Sequence, residues 1–250
     1  MSKPRVAIFD FACCEGCQLQ IVDMEENILQ LLTLITPVEW REVMSESSEE
    51  YDIAIIEGSI TRAGDEERLK TIRSKAKILI ALGACATIGG INKLVNNFAN
   101  IEEVKRCVYE ENSRMPHLAT QPVKAVNEVV PVDFMVHGCP INISEFAYII
   151  RCLLIGTTPV IPNFSVCVEC KIRENICRYE YGEICLGPVT RAGCEAPCPS
   201  GGMWCFGCRG YVDDPNVNGA LDVMERYRKT PADLMSRLAL FNSPQETKNG

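Results

Sequence analysis

The stretch from Val6 to Cys17, VAIFDFACCEGC, places a short apolar run directly before a turn that carries several cysteines. Val6 to Phe11 is typical of a buried β-strand, and from Gly16 to Ile35 apolar residues recur at near-helical spacing. A strand that runs through a turn into a helix is the first half of a strand–helix–strand unit. The sequence therefore predicts that Cys14 and Cys17 lie where the first strand ends and the first helix begins.

The same alternation of short apolar runs and amphipathic stretches continues to about residue 160. Runs typical of strands are Ile53–Ile56, Lys77–Leu82 and Val132–Val136. Stretches typical of helices are Asp65–Ala76 and Ile143–Leu154. Apolar strands alternating with helices predict an α/β fold with a flavodoxin-like, doubly wound parallel sheet. In such sheets ligands bind beyond the carboxyl ends of the strands.

The pattern changes after Pro159–Asn163, where the predicted domain boundary lies. From Val166 to Gly210 the chain has eight cysteines and no clear periodicity, and helical patterning returns from Gly219 to Phe241. Metal–thiolate bonds can supply the folding energy that a loop-rich segment lacks. We therefore predict a flavodoxin-like domain over residues 1–160 and a small, loop-rich, metal-binding domain with C-terminal helices over residues 161–250.

The composition of the 250 residues excludes several classes of protein. The net charge of −8 argues against binding to nucleic acid or to anionic membranes. No apolar stretch approaches the roughly 20 residues that span a bilayer, and the N-terminus is a poor secretory signal. The chain is therefore expected to be cytoplasmic. In that reducing compartment, 15 cysteines against two histidines indicate metal ligands rather than disulfides, and nearly all-thiolate sites suit zinc or iron–sulfur clusters.

The first group of candidate ligands is Cys14, Cys17, Cys85 and Cys139, and each segment follows a predicted strand. The group should converge on one edge of the sheet as a four-thiolate site, where the positive end of a helix favours thiolate. Taken alone, the Cys14–Cys17 turn is equally typical of a thioredoxin-like redox pair. Cys85 and Cys139 could also be small buried apolar residues.

The second group supplies two further four-cysteine sites, with eight cysteines between residues 167 and 208: Cys167, Cys170, Cys177, Cys185, Cys194, Cys198, Cys205 and Cys208. Two structural zinc ions are one interpretation, since Cys-x2-Cys stands at both ends. The Cys–Pro pairs at Cys139–Pro140 and Cys198–Pro199 favour iron–sulfur clusters, because a Cys–Pro ligand occurs in ferredoxins. Cys13, Cys107 and Cys152 are expected to be buried apolar residues.

The sequence contains no candidate catalytic residue. His117 and His137 are expected to be ordinary polar residues, and Glu57 an ordinary solvated carboxylate. The glycines of residues 83–90 lack the G-x-G-x-x-G spacing of a dinucleotide site. Three four-thiolate sites in one chain would form a path for electrons, so the chemistry is expected to occur on a partner.

Several motifs resemble the small subunit of [NiFe] hydrogenases, over about residues 4–240. They are Cys14–Gln20, Glu57–Ser59, Gly83–Ala86, Gly138–Pro140, Cys185–Cys194 and Cys205–Gly210. The chain is most similar to the cytoplasmic branch, in particular the delta subunit of sulfhydrogenases, which are bidirectional, NAD(P)-linked enzymes. The pair Cys13–Cys14 is also similar to the 20-kDa subunit of respiratory complex I, which carries a single cluster.

The resemblance implies an order for the three sites. The proximal [4Fe-4S] cluster would be held by Cys14, Cys17, Cys85 and Cys139. The medial cluster would be held by Cys194, Cys198, Cys205 and Cys208. The distal cluster would be held by Cys167, Cys170, Cys177 and Cys185.

Two positions depart from the periplasmic enzymes of the family. Cys167 stands where their distal cluster has a histidine ligand, and Cys198 stands where proline accompanies a [3Fe-4S] medial cluster. We therefore expect three [4Fe-4S] clusters. A fourth thiolate adds negative charge and should lower the medial potential, which suits exchange with low-potential carriers.

The resemblance also implies the partners. A large subunit with a Ni–Fe centre would split H2, and electrons would pass through the three clusters to a flavin- and NAD(P)-binding subunit with an iron–sulfur partner, or to a ferredoxin-type partner. The alternative is the equivalent small subunit of a heterodisulfide-reductase-linked or other electron-bifurcating complex. A zinc-stapled interaction module without redox activity is the third hypothesis.

Overall fold

The structure is a computed structural model that describes residues 3–109 and 119–241. Contacts divide the chain into two compact units, Met1–Ile143 and Ser144–Gly250. This division lies earlier in the chain than the change in composition near residue 160, and the assignment of domains 1–160 and 161–250 stays a prediction. Among the described helices, none is both long and apolar enough to cross a membrane.

The first unit is built on a parallel sheet of five strands, which confirms the predicted α/β, flavodoxin-like fold. The strands are β1 (Arg5–Asp10), β2 (Thr36–Trp40), β3 (Ile53–Glu57), β4 (Ile78–Leu82) and β5 (Phe134–Val136). Their order in the sheet is β2-β1-β3-β4-β5. In this order the connections change direction between β1 and β3, and ligands of flavodoxin-like folds bind at that switch point.

The helices of the first unit follow the strands. They are α1 (Gly16–Val22), α2 (Glu26–Leu34), α3 (Ala63–Lys75), α4 (Gly83–Ile88) and α5 (Ile101–Val108), with short 3-10 turns at Ile91–Asn97 and Val126–Glu128. The single helix predicted from Gly16 to Ile35 is wrong, because Glu25 has a φ of 51° and separates α1 from α2. An α-helix cannot continue through a residue with positive φ.

The carboxyl ends of β1 and β3 are joined by hydrogen bonds beyond the last paired residues. Phe11 N–H donates to the Glu57 carbonyl at 2.8 Å, and Ala12 and Ser59 exchange backbone hydrogen bonds at 3.2 and 3.0 Å. The Asn92 amide donates to the Ala12 carbonyl at 2.8 Å and to Ser59 Oγ at 2.9 Å. These hydrogen bonds hold the turn that leads to Cys14 against β3, and every residue of β3 is buried.

The second unit contains α6 (Ile143–Leu154), whose first residue belongs to the first unit, and then short helices. These are α7 (Val166–Ile172), a 3-10 turn at Arg178–Tyr181, α8 (Pro197–Ser200), α9 (Val217–Arg226) and α10 (Pro231–Leu238). The core of this unit is small and includes two cysteines: its buried members are Val166, Tyr179, Cys185, Ala196, Cys205 and Met224. Long helices do not form between residues 166 and 210, as the missing periodicity predicts.

Gly58 follows β3 at a position that only glycine fits. Its φ is 104°, and a Cβ atom there would lie 2.7 Å from the Phe11 carbonyl carbon. We therefore expect Gly58→Ala to lower the free energy of unfolding by about 1–3 kcal/mol, because backbone strain and a collision with main chain add together. Chemical denaturation measures the change.

The matched control is Gly64→Ala. Gly64 lies in the first turn of α3, and a Cβ atom there would meet nothing within 4 Å. This substitution should leave stability unchanged or raise it by about 0.4–1 kcal/mol. Equal losses from both substitutions would contradict the proposed strain at Gly58.

Candidate metal centres

The first candidate centre lies beyond the carboxyl ends of β1, β4 and β5. Cys17 lies in the first turn of α1, and Cys85 lies in α4, which begins directly after β4. Cys139 lies in the turn after β5. A Cβ atom at Gly83 would collide with Cys17 Sγ, and Ala84 N–H donates to the Gly138 carbonyl at 2.7 Å. Three segments that are distant in sequence therefore meet at one edge of the sheet, as predicted.

The charges of neighbouring thiols act on one another in this group, and Cys139 is coupled to each of the other three predicted ligands. Burial, then Cys139 and Cys14, raise the pKa of Cys85 to about 12. Burial and Cys14 also raise the pKa of Cys139. The pKa of Cys17 is raised, chiefly by burial and partly by Cys139, against a hydrogen bond from the Ile141 N–H that lowers it. Without a cation between them, these thiols resist ionisation.

Glu57 is the residue at this edge that sequence reasoning placed wrongly. We expected a solvated carboxylate, but Glu57 is 2% exposed and ends β3. Its carboxylate accepts hydrogen bonds from the N–H groups of Cys17 at 3.1 Å and Gln18 at 3.2 Å. These groups belong to the first turn of α1, whose N–H groups have no partner within the helix. An acidic residue at the end of an apolar strand, beside a predicted helix start, was the available signal.

The second candidate centre surrounds α7. Cys167 and Cys170 lie on this helix, and Cys177 precedes the next 3-10 turn. Burial, then Cys185, Cys170 and Cys177, raise the pKa of Cys167 to about 12, so all four thiols lie within electrostatic range. A Cβ atom at Gly187 would lie 3.2 Å from Cys167 Sγ and 3.5 Å from Cys185 Sγ. The structure thus brings this predicted group together.

The third candidate group is seen as two pairs. Cys198 contributes to the raised pKa of Cys194, and Cys208 contributes to that of Cys205, with burial as the main cause in both. Cys205 is also within electrostatic range of Cys185, and its N–H donates to Cys185 Sγ at 3.2 Å. The union of the two pairs in one site stays a prediction.

The remaining cysteines and histidines differ in their surroundings. Cys152 is buried, as predicted, whereas Cys107 is exposed, so its prediction was wrong: it lies on α5, which has no buried residue. Cys13 is half-buried and within electrostatic range of Cys85. His117 lies outside the described residues. His137, half-buried after β5, stays an ordinary polar residue by prediction.

The donor set fits iron–sulfur clusters. Each candidate group consists of thiols alone, and a [4Fe-4S] cluster takes one thiolate at each iron corner. Backbone N–H groups of Ile141 and Cys205 already donate to sulfur, and buried Trp204 Nε1 has no hydrogen-bond partner near Cys205. Buried thiols with N–H donors are the surroundings that such clusters require.

Replacement of Glu57 tests its role at the first centre. In Glu57→Ala two buried N–H groups of α1 lose their acceptor, at about 1–3 kcal/mol each, so the melting temperature and the iron content should both fall. Glu57→Gln keeps one acceptor oxygen and should lose less. The control is Glu67→Ala, since Glu67 is exposed on α3 and pairs with Lys70 at the surface. A Glu57→Ala protein as stable as the control would contradict the assignment.

Comparisons with known proteins agree with this geometry. Residues 14–153 match the family model described as NADH ubiquinone oxidoreductase, 20 Kd subunit. The chain is 36% identical to sulfhydrogenase 2 subunit delta of Pyrococcus furiosus, over 88% of this chain and 92% of that one. It is 32% identical to a subunit of the vhu F420-non-reducing hydrogenase of Methanocaldococcus jannaschii, over 95% and 93% of the two chains.

Among solved structures, a chain of an NAD+-reducing [NiFe]-hydrogenase in the H2-reduced state matches with a TM-score of 0.59 and 30% identity, over 64% of this chain and 96% of that chain. The hydrogenases among these relatives are oxidoreductases that act on H2, and their active site lies on a different subunit. The cysteines at the carboxyl ends of the strands, the order of the sheet and these matches lead to one conclusion. The chain belongs to the family that includes the 20-kDa subunit of NADH:ubiquinone oxidoreductase and the small (delta) subunits of [NiFe] hydrogenases.

Proposed function

We propose that this chain is the electron-transfer subunit of a cytoplasmic [NiFe] hydrogenase. It passes electrons between the Ni–Fe site of a large subunit and a flavin/NAD(P)-type or ferredoxin-type partner through three [4Fe-4S] clusters. The observation that supports this most is the gathering of thiols: one group beyond the carboxyl ends of the strands, and one group and two further pairs in the second unit. A single structural metal would need only one such group.

We assign the ligands in the order that the family resemblance implies. The proximal cluster is held by Cys14, Cys17, Cys85 and Cys139. The medial cluster is held by Cys194, Cys198, Cys205 and Cys208. The distal cluster is held by Cys167, Cys170, Cys177 and Cys185. Bound iron–sulfur clusters supply one-electron transfer, so the chain needs no catalytic residue of its own.

The residues of the chain hold and shield these groups. Cys17, Cys185 and Cys205 are buried, which keeps water from the thiolates. Burial raises the pKa of each of these thiols, and backbone N–H groups lower it. Hydrogen bonds to sulfur stabilise the charged form and also tune the reduction potential of a bound cluster.

A second assembly is supported by the match to the F420-non-reducing hydrogenase, which covers 95% of this chain. In that case the same electron-transfer subunit would serve a heterodisulfide-reductase-linked or other bifurcating complex. The two assemblies share the large subunit and differ in the acceptor. The chains that co-purify with a tagged protein distinguish a flavin- and NAD(P)-binding partner from a heterodisulfide reductase.

Metal analysis of the complex, purified without oxygen, tests the function. We expect about twelve iron atoms for this chain, together with iron and one nickel from the large subunit, and no zinc above background. Iron at that level without nickel would mean that the conduit serves other chemistry. Zinc in place of iron would mean that the metal stabilises an interaction module and that the chain has no redox function.

Cys198→Pro tests the medial assignment. Proline fits the first turn of α8, where the backbone N–H has no helical acceptor, so the fold should persist. The medial cluster should lose one iron and give the EPR signal of an oxidised three-iron cluster, and its reduction potential should rise because one thiolate is gone. Cys152→Ala, at a buried cysteine outside the three groups, is the control. An unchanged iron count without that signal would refute the assignment.

A further inference from the structure

A buried guanidinium lies inside the second unit, beside the cysteines of the third group. Arg209 has a side chain that is 1% exposed. Its Nη1 and Nη2 donate to the two carboxylate oxygens of Glu145 at 2.9 and 2.6 Å, and its Nε donates to the Ala192 carbonyl at 2.8 Å. The Glu145 side chain is 7% exposed, so both charges are removed from water.

The pair lies against the segment that carries Cys194. A Cβ atom at Gly193 would collide with Arg209 and would lie 2.6 Å from a Glu145 oxygen, so glycine is required there. Arg209 Nε binds the carbonyl of Ala192, two residues before Cys194, and the guanidinium lies within electrostatic range of the Cys194 thiol. The guanidinium therefore lies against the backbone that leads directly into Cys194.

A carboxylate acts on the same thiol with the opposite sign. Glu169 accepts hydrogen bonds from the N–H groups of Gly193 at 2.8 Å and Glu195 at 3.0 Å, which flank Cys194. Its Oε2 lies 3.9 Å from Cys194 Sγ and raises the pKa of that thiol. Cys194 thus lies between one positive charge and one negative charge.

Stability alone does not account for the pair. A buried ion pair often contributes no more than well-packed apolar residues of the same size, because both ions lose their hydration. A charge in a low-dielectric interior, however, acts strongly on other charges near it. Apolar residues could fill the same space, but they would place no positive charge beside Cys194.

We propose that Arg209 is a positioning residue that sets the reduction potential of the cluster bound by Cys194, Cys198, Cys205 and Cys208. Its positive charge stabilises the reduced, more negative state and raises the potential, whereas Glu145 and Glu169 oppose it. This inference rests on the proposed function, in which these cysteines hold an iron–sulfur cluster.

The test is an EPR-monitored redox titration of the complex, purified without oxygen, with two variants whose comparison isolates the Arg209 charge. Glu145→Gln keeps a hydrogen-bond acceptor for Arg209 but removes the compensating charge, so the midpoint potential of this cluster should become more positive. Arg209→Gln/Glu145→Gln leaves an uncharged pair, so its potential should lie below that of Glu145→Gln, and the difference measures the contribution of the Arg209 charge. The potentials of the other two clusters should change less in both variants.

Two controls separate the effect of the Arg209 charge on the potential from the effect of its packing on stability. Glu225→Gln removes a charge from the exposed face of α9 and should leave all three potentials unchanged. Arg209→Lys keeps the charge with fewer hydrogen bonds, so it should lower the melting temperature while the potential stays near that of the wild type. If the double variant does not fold, Glu145→Gln and Arg209→Lys still decide between a shift and no shift.

The outcomes distinguish this inference from the proposed function. Clusters at full iron content, with the same potential in every variant or with a potential in the double variant that is not below that of Glu145→Gln, would overturn the role of Arg209 alone. A complex that carries no iron at the third group would overturn the proposed function and this inference together.

Discussion

Thiols gathered in the interior repel one another once they ionise, and that repulsion is the constraint on which the arrangement of this chain depends. Burial and neighbouring thiols raise the pKa of both Cys85 and Cys167 to about 12, so each group is costly to charge on its own. A metal centre removes that cost, and in the second unit, whose core is built partly of cysteines, it would supply folding energy as well.

The parallel sheet brings together the cysteines of the first group, which lie on segments that are distant in sequence. Strands that run in one direction bring their carboxyl ends to one edge, so cysteines that follow β1, β4 and β5 meet without a long loop. The order of the strands puts the switch point between β1 and β3, where the Cys14–Cys17 turn and Glu57 lie. Glu57 then holds the start of α1 by accepting hydrogen bonds from the N–H groups of Cys17 and Gln18, so the end of a strand fixes the position of the helix that carries Cys17.

Much of this arrangement could be predicted, because buried strands are apolar along their whole length and because cysteine spacing is conspicuous. The strands β1, β3, β4 and β5 were found from their apolar runs, whereas β2 was missed: it is an edge strand that contains Pro37 and Glu39, and its pattern is weak. The break at Glu25 could not be predicted, since its positive φ has no signal in a glutamate. The burial of Glu57 depends on a partner helix far away in sequence, which composition does not show. Arg209, likewise, is typical of a surface residue until Glu145 is placed beside it.

The backbone contact between the two groups of the second unit has a consequence for electron tunnelling. Cys205 N–H donates to Cys185 Sγ at 3.2 Å, and Leu186 N–H donates to the Cys205 carbonyl at 3.0 Å. These two hydrogen bonds connect one cysteine group to the other through the main chain. If both groups hold clusters, the electronic coupling between them would follow a route of covalent and hydrogen bonds whose length varies little with thermal motion. The transfer rate between the two centres would then be governed by their potentials and not by fluctuations in their separation.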